Sequence, residues 1–186
     1  MDNIRDYIIV IKNVLSDQLC NQILNEFKDN DEWQDTVVGS GLIKKEIRNC
    51  KTIVISYPYV IEKNKDLRLK LDQDIFEASS KCIIEYNNKF PHCKIEEDSG
   101  YELLKYNNGG FYIEHTDSFK ARPRAVSCSF ILNDDFEGGE FAFFNKNLKY
   151  KLNKGDALMF PSNFMYPHEI MPVTKGTRFS IITWFI

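Results

Sequence analysis

The pattern of apolar and polar positions changes character near Gly100. Upstream, two segments carry the three-and-four spacing of an amphipathic helix. In the first, Leu19, Cys20, Ile23, Leu24 and Phe27 share a face, and Ser16 is placed to cap the N-terminus. In the second, Leu67, Leu71, Ile75, Ala78, Cys82 and Tyr86 form a longer stripe, with Asp66 suited to the positive end of the helix. A short strand-like run precedes each, at residues 7–11 and 52–57. After Gly100 the chain breaks into β-type runs separated by Gly, Asn, Asp and Pro. They fall at residues 101–106, 111–115, 124–132, 140–144, 148–152, 157–160, 166–171 and 177–185. This layout predicts a mainly β (α+β) fold, a double-stranded β-helix or jelly roll closing around a cavity, with the helices bracing one sheet from outside. Residues 31–50 follow neither period, carry Gly39, Ser40 and Gly41, and read as a lid.

Composition narrows the class. At 186 residues and 43% hydrophobic content, the chain is expected to be one domain with one site, residues 1–100 as helical support and lid and 101–186 as catalytic core. There is no apolar run of the ~18 to 20 residues a membrane span needs. The net charge of −3 does not suggest general binding to nucleic acid or an anionic membrane. Five scattered cysteines without a Cys-x-x-Cys pair fit reduced thiols, and the N-terminal residues lack signal-peptide features, so a cytoplasmic setting is expected. Oligomeric state is not legible. Histidine is the scarce residue, at 92, 115 and 168 only.

Two of those histidines join a chemically informative group. If the second β run continues through His115-Thr116-Asp117, alternation puts His115 and Asp117 on one face. With His168 from a facing strand they make a 2-His-1-carboxylate facial triad, the set associated with non-heme Fe(II), whereas zinc prefers a closed or tetrahedral site. A lone His-x-Asp is equally a turn at a strand end. Arg178 follows His168 by ten residues, beyond Pro172 and a Val-Thr-Lys-Gly turn, so its strand can lie antiparallel beside that of His168. An inward guanidinium there is expensive to bury without an anion, and its fork suits a carboxylate. Those features predict an acidic co-substrate reaching from the metal to Arg178.

The blocks LLKYNNGGFYIEHTDSF, RAVSCSFILNDDFEGGEFAFF, GDALMFPS and HEIMPVTKGTRFSIITW, taken in order, resemble the catalytic domain of prolyl 4-hydroxylase-type Fe(II)/2-oxoglutarate dioxygenases. YIIVIKNVLSDQLCNQIL and IRNCKTIVIS are similar to the regions preceding it. The resemblance implies that His115, Asp117 and His168 bind Fe(II), and that Arg178 and the Tyr106 hydroxyl hold 2-oxoglutarate. It implies hydroxylation of prolyl residues in a peptide or protein by molecular oxygen, with 2-oxoglutarate converted to succinate and CO2 and ascorbate as a candidate reductant. Arg178 stands where the collagen-type branch has lysine, which favours the hypoxia-sensing and microbial or viral branches. Ile131 and Ile182 replace a cofactor-contacting tyrosine and threonine of the hypoxia-sensing branch.

Other residues carry open readings. Trp184 falls on the face of Arg178 and is either a substrate-facing wall or core packing. It stands where nucleic-acid demethylases of the superfamily carry an arginine. Arg48 matches a family arginine near the substrate entrance. Lys120, Arg122 and Arg124 read as a solvated loop or a steering patch, His92 as a bystander, and Gly138, Gly139 and Gly155 as turn or bulge formers. A free amino acid such as proline is the rival substrate. A catalytically inactive jelly-roll module that binds metal or ligand is the rival class.

Overall fold

The computed structural model describes residues 3–39, 41–56, 64–121 and 123–186. Its elements are β1 (Ile9–Ile11), α1 (Asp17–Phe27), β2 (Gln34–Asp35), β3 (Arg48–Asn49), β4 (Lys51–Val54), α2 (Lys65–Lys89), β5 (Glu102–Tyr106), β6 (Phe111–His115), β7 (Val126–Ile131), β8 (Glu137–Gly138), β9 (Phe141–Phe143), β10 (Leu148–Tyr150), β11 (Ala157–Pro161), β12 (His168–Ile170), β13 (Val173–Lys175) and β14 (Arg178–Phe185). A seven-stranded antiparallel sheet has the order β1-β11-β7-β14-β5-β4-β2, and a five-stranded one the order β10-β9-β12-β6-β3. The fold is therefore mostly antiparallel β with two α-helices among the described residues, and all eight downstream runs contain strands.

Both helices form where the periodicity placed them. The Ser16 hydroxyl accepts from the Leu19 amide, satisfying one of the free N–H groups at the start of α1. Cys20, Ile23 and Phe27 of α1 and Leu71, Ile75, Ala78, Cys82 and Tyr86 of α2 are buried. They share a core with Leu103, Val126, Cys128, Phe130, Ile181 and Phe185 on the outer face of the large sheet. The helices thus brace that sheet from outside. A second apolar cluster, including Leu104, Tyr106, Ile131, Phe141, Phe143, Ile170 and Ile182, lies between the sheets.

Several expectations are corrected. Residues 7–11 are not all strand: Ile4–Tyr7 is a 3-10 helix, because Asn3 and Asp6 form a reciprocal capping box, and only Ile9–Ile11 pairs with β11. The 52–57 run is strand at Lys51–Val54, and Tyr57 lies outside the described residues, as do Ser40 and Arg122. The Val-Thr-Lys-Gly segment is not simply a turn, since Val173–Lys175 pairs with Glu137–Gly138 as a two-stranded ribbon. The strand of Arg178 does not lie beside that of His168. β14 sits between β7 and β5 in the large sheet, while β12 sits between β9 and β6 in the small one. The ribbon carries the chain from one sheet to the other, which spacing alone could not show. Residues 31–50 contain β2 and β3, one at the edge of each sheet.

Candidate active site

The two sheets enclose a cavity of about 420 Å³, lined by residues from both and by Thr36, Val37, Val38 and Gly39 of the 31–50 segment. On its small-sheet side His115 and His168 are directly opposite each other in the β6–β12 register. His168 therefore comes from the neighbouring strand, not from a facing one. β6 ends at His115, so Asp117 lies beyond it, held instead by its amide donating to the Ser162 carbonyl at 3.2 Å. The carboxylate still reaches both rings: His115 Nε2 is 3.4 Å from Oδ1 and His168 Nε2 is 3.5 Å from Oδ2.

The tautomers follow from the partners. His115 Nδ1 lies 2.9 Å from the Ile113 carbonyl and His168 Nδ1 lies 3.1 Å from that of Tyr166. A carbonyl oxygen only accepts, so each Nδ1 carries a proton and each Nε2 faces Asp117. Burial among Phe141, Phe143 and Phe160 pushes the His168 pKa down to about 4, so its Nε2 presents a lone pair at neutral pH. Burial alone would raise the Asp117 pKa, but the flanking imidazoles in their protonated form and the Ser127 hydroxyl, donating at 2.6 Å, hold it well below the usual carboxylate range. A carboxylate and an imidazole lone pair at this separation repel unless a cation lies between them. The donor set fits a divalent metal with open coordination positions, and these are the three metal-type residues grouped among the described ones.

Arg178 occupies the other wall. It is 1% exposed, and only Nη1 has a partner, the Ser180 hydroxyl at 2.7 Å. Nε and Nη2 are buried with none. Burial pulls its pKa below the usual arginine range, with Tyr106 and Cys50 opposing, yet a guanidinium stays charged. Tyr106 is its register partner on β5, and its own pKa is raised by burial. Gly139 makes room for the anchor: at φ +67°, a Cβ would sit 2.9 Å from Arg178 Cδ. A buried cation with two free donor positions fits a carboxylate.

Trp184 and Arg48 also line the cavity, Arg48 lying over the Tyr112 ring at 4.8 Å. Ile182 lines it too, whereas Ile131 is buried in the cluster between the sheets. His92 is exposed and outside the group. Arg124 is not a solvated loop residue: its guanidinium lies 3.4 Å from the Trp184 ring centroid, and it donates to the Asp117 carbonyl at 3.0 Å. Ser127, Ser162, Ser180 and Glu102 also belong to the site or its lining without having stood out in the sequence. Alternation on β7, β14 and β5 puts three of them on the cavity face, a signal that was present.

Residues 101–186 match the family model described as the 2OG-Fe(II) oxygenase superfamily. That stretch, a little under half of the chain, resembles a 2OG-Fe(II) oxygenase domain. The family uses Fe(II) and 2-oxoglutarate, and the resemblance found in the sequence blocks is borne out. A PKHD-type hydroxylase of Idiomarina loihiensis is 35% identical over 88 residues, 44% of this chain and 39% of that protein. One of Sphingopyxis alaskensis is 32% identical over 144 residues, covering 70% and 64% respectively. The chain thus spans about two fifths of the first relative and somewhat under two thirds of the second. A solved prolyl hydroxylase from Trichoplax adhaerens, in complex with a hypoxia inducible factor peptide fragment, superposes with TM-score 0.79 over 97% of this chain and 83% of its own, at 19% identity. That likeness extends the shared fold beyond residues 101–186 into the N-terminal half.

Proposed function

We propose that the chain is an Fe(II)- and 2-oxoglutarate-dependent dioxygenase that hydroxylates prolyl residues in a peptide or protein. The observation that carries this reading is one cavity holding the His115-Asp117-His168 group and, on the opposite sheet, a buried Arg178 with two unpartnered donor positions. His115 Nε2, His168 Nε2 and an Asp117 oxygen would hold the metal; Arg178, with Tyr106 beside it, would hold the distal carboxylate of 2-oxoglutarate. Together the bound metal and co-substrate would supply activation of molecular oxygen, coupled to decarboxylation of 2-oxoglutarate to succinate and CO2. Ser127 fixes the carboxylate, and the two backbone carbonyls fix the imidazole orientations. The phenylalanines packed round His168 exclude water from that side. Arg48 and Trp184, at the cavity wall, would meet the substrate. Ascorbate would serve as reductant.

In this reading the facing sheets are a double-stranded β-helix, and residues 1–186 act as one domain, the first hundred as support and lid. Among the described residues no helix is long and apolar enough to cross a membrane. The unpaired cysteines support a cytoplasmic setting. The test is mass spectrometry of proline-containing peptides after incubation with enzyme, Fe(II), 2-oxoglutarate and oxygen. The expected product carries one added oxygen atom on proline. Added oxygen on free proline alone would move the reading to an amino-acid hydroxylase, and tightly held zinc without turnover would favour a binding module.

A further inference from the structure

The cavity lining contains two carboxylates, Asp117 and Glu102. Asp117 belongs to the His115-His168 group. Glu102 does not: it stands on β5 directly opposite Ile182 of β14 on one side and Val54 of β4 on the other. Both flanking side chains are apolar and line the same cavity. Glu102 is half-buried and, among the described residues, its side chain has neither hydrogen bond nor ion pair. The three arginines of the lining do not neutralise it. Arg178 is bonded to Ser180, Arg48 lies over Tyr112 and donates to the Val37 carbonyl, and Arg124 lies over Trp184 and donates to the Asp117 carbonyl.

Its position along the sheet separates it from the anchor. Arg178 and Ile182 are four residues apart on β14, a span of about 13 Å. Tyr106 and Glu102 mark the same two levels on β5. The wall is therefore graded, with the Arg178 guanidinium at one level and the Glu102 carboxylate at the other. A dicarboxylate is drawn to the first end and repelled from the second, which leaves Glu102 for the substrate. We propose that Glu102 is a specificity residue that selects peptides carrying lysine or arginine close to the hydroxylated residue. This deepens the hydroxylase reading and rests on it.

The test is affinity selection from a peptide library with a central proline and randomised flanks, on protein held without oxygen with Fe(II) and 2-oxoglutarate. Wild-type protein should enrich lysine or arginine at one flanking position about fivefold, the size expected of a partly exposed ion pair. Glu102→Gln should lose that enrichment, and Glu102→Lys should shift it to aspartate or glutamate at the same position. Selection without basic enrichment, enrichment that survives both substitutions, or no peptide retained overturns the inference. Binding of 2-oxoglutarate to the wild-type protein, measured in the same buffer, keeps the two levels apart. Its absence counts against the hydroxylase reading, whereas its presence with a charge-blind selection counts against Glu102 alone.

Discussion

The two faces of β14 do different work. Phe179, Ile181 and Phe185 face the helices and belong to the outer core. Arg178, Ser180, Ile182 and Trp184, interleaved with them, line the cavity. β7 repeats the division, with Val126, Cys128 and Phe130 outside and Ser127 and Ser129 inside. The outer face buries apolar side chains against α1 and α2 and so stabilises the sheet. The inner face carries a cation with unpartnered donor positions, whose burial opposes folding unless a ligand meets it. A rigid outer layer is what lets the inner one keep groups that a protein selected for stability alone would not hold.

Substitutions on the two faces should separate accordingly. The largest effect is expected away from β14, at the group that its inner face confronts. Asp117→Ala should reduce succinate formation by more than the roughly hundredfold that outer partners of a metal site cost, with far-ultraviolet circular dichroism unchanged. On the outer face, Ile181→Ala should cost about 2–5 kcal/mol in denaturant unfolding, while the folded protein keeps its affinity for 2-oxoglutarate. Arg178→Met should do the reverse, lowering that affinity by about tenfold to a hundredfold while leaving the thermal midpoint of the ligand-free protein unchanged or higher. The smallest effect is expected for Ser180→Ala, which removes the one acceptor held by the guanidinium and should weaken 2-oxoglutarate binding by about 1 kcal/mol in calorimetry. If Ile181→Ala impaired binding as much as Arg178→Met, the division between the faces would fail.

Much of this was legible in the sequence because alternation and helical periodicity are local. The stripes of α1 and α2, the eight runs after Gly100 and the convergence of His115, Asp117 and His168 needed only spacing and the resemblance of the blocks. What escaped depended on where the chain crosses between sheets. Ten residues from His168 to Arg178 allow a hairpin, and the sequence does not record that Val173–Lys175 pairs with Glu137–Gly138 and leads β14 to the other wall. With Arg178 on the opposite wall, a ligand reaching to it from the His115-Asp117-His168 group would span the cavity instead of lying along one sheet. The way Asp117 is held escaped for a similar reason. Its placement depends on the Ser162 carbonyl and the Ser127 hydroxyl, both distant in sequence, rather than on continuation of β6. Arg124 read as a loop residue because nothing local reveals that the loop folds it onto Trp184.

The central claim is that His115, Asp117 and His168 on one wall and Arg178 on the other hold a metal and 2-oxoglutarate for oxygen chemistry. Its most direct test is succinate formed from 2-oxoglutarate by the purified protein supplied with Fe(II) and oxygen, alongside Asp117→Ala and Arg178→Met. The account predicts succinate from the wild-type protein, none detectable from Asp117→Ala, and recovery of Arg178→Met only at raised 2-oxoglutarate. A folded wild-type protein that forms no succinate, or an Asp117→Ala variant that forms as much, would contradict it.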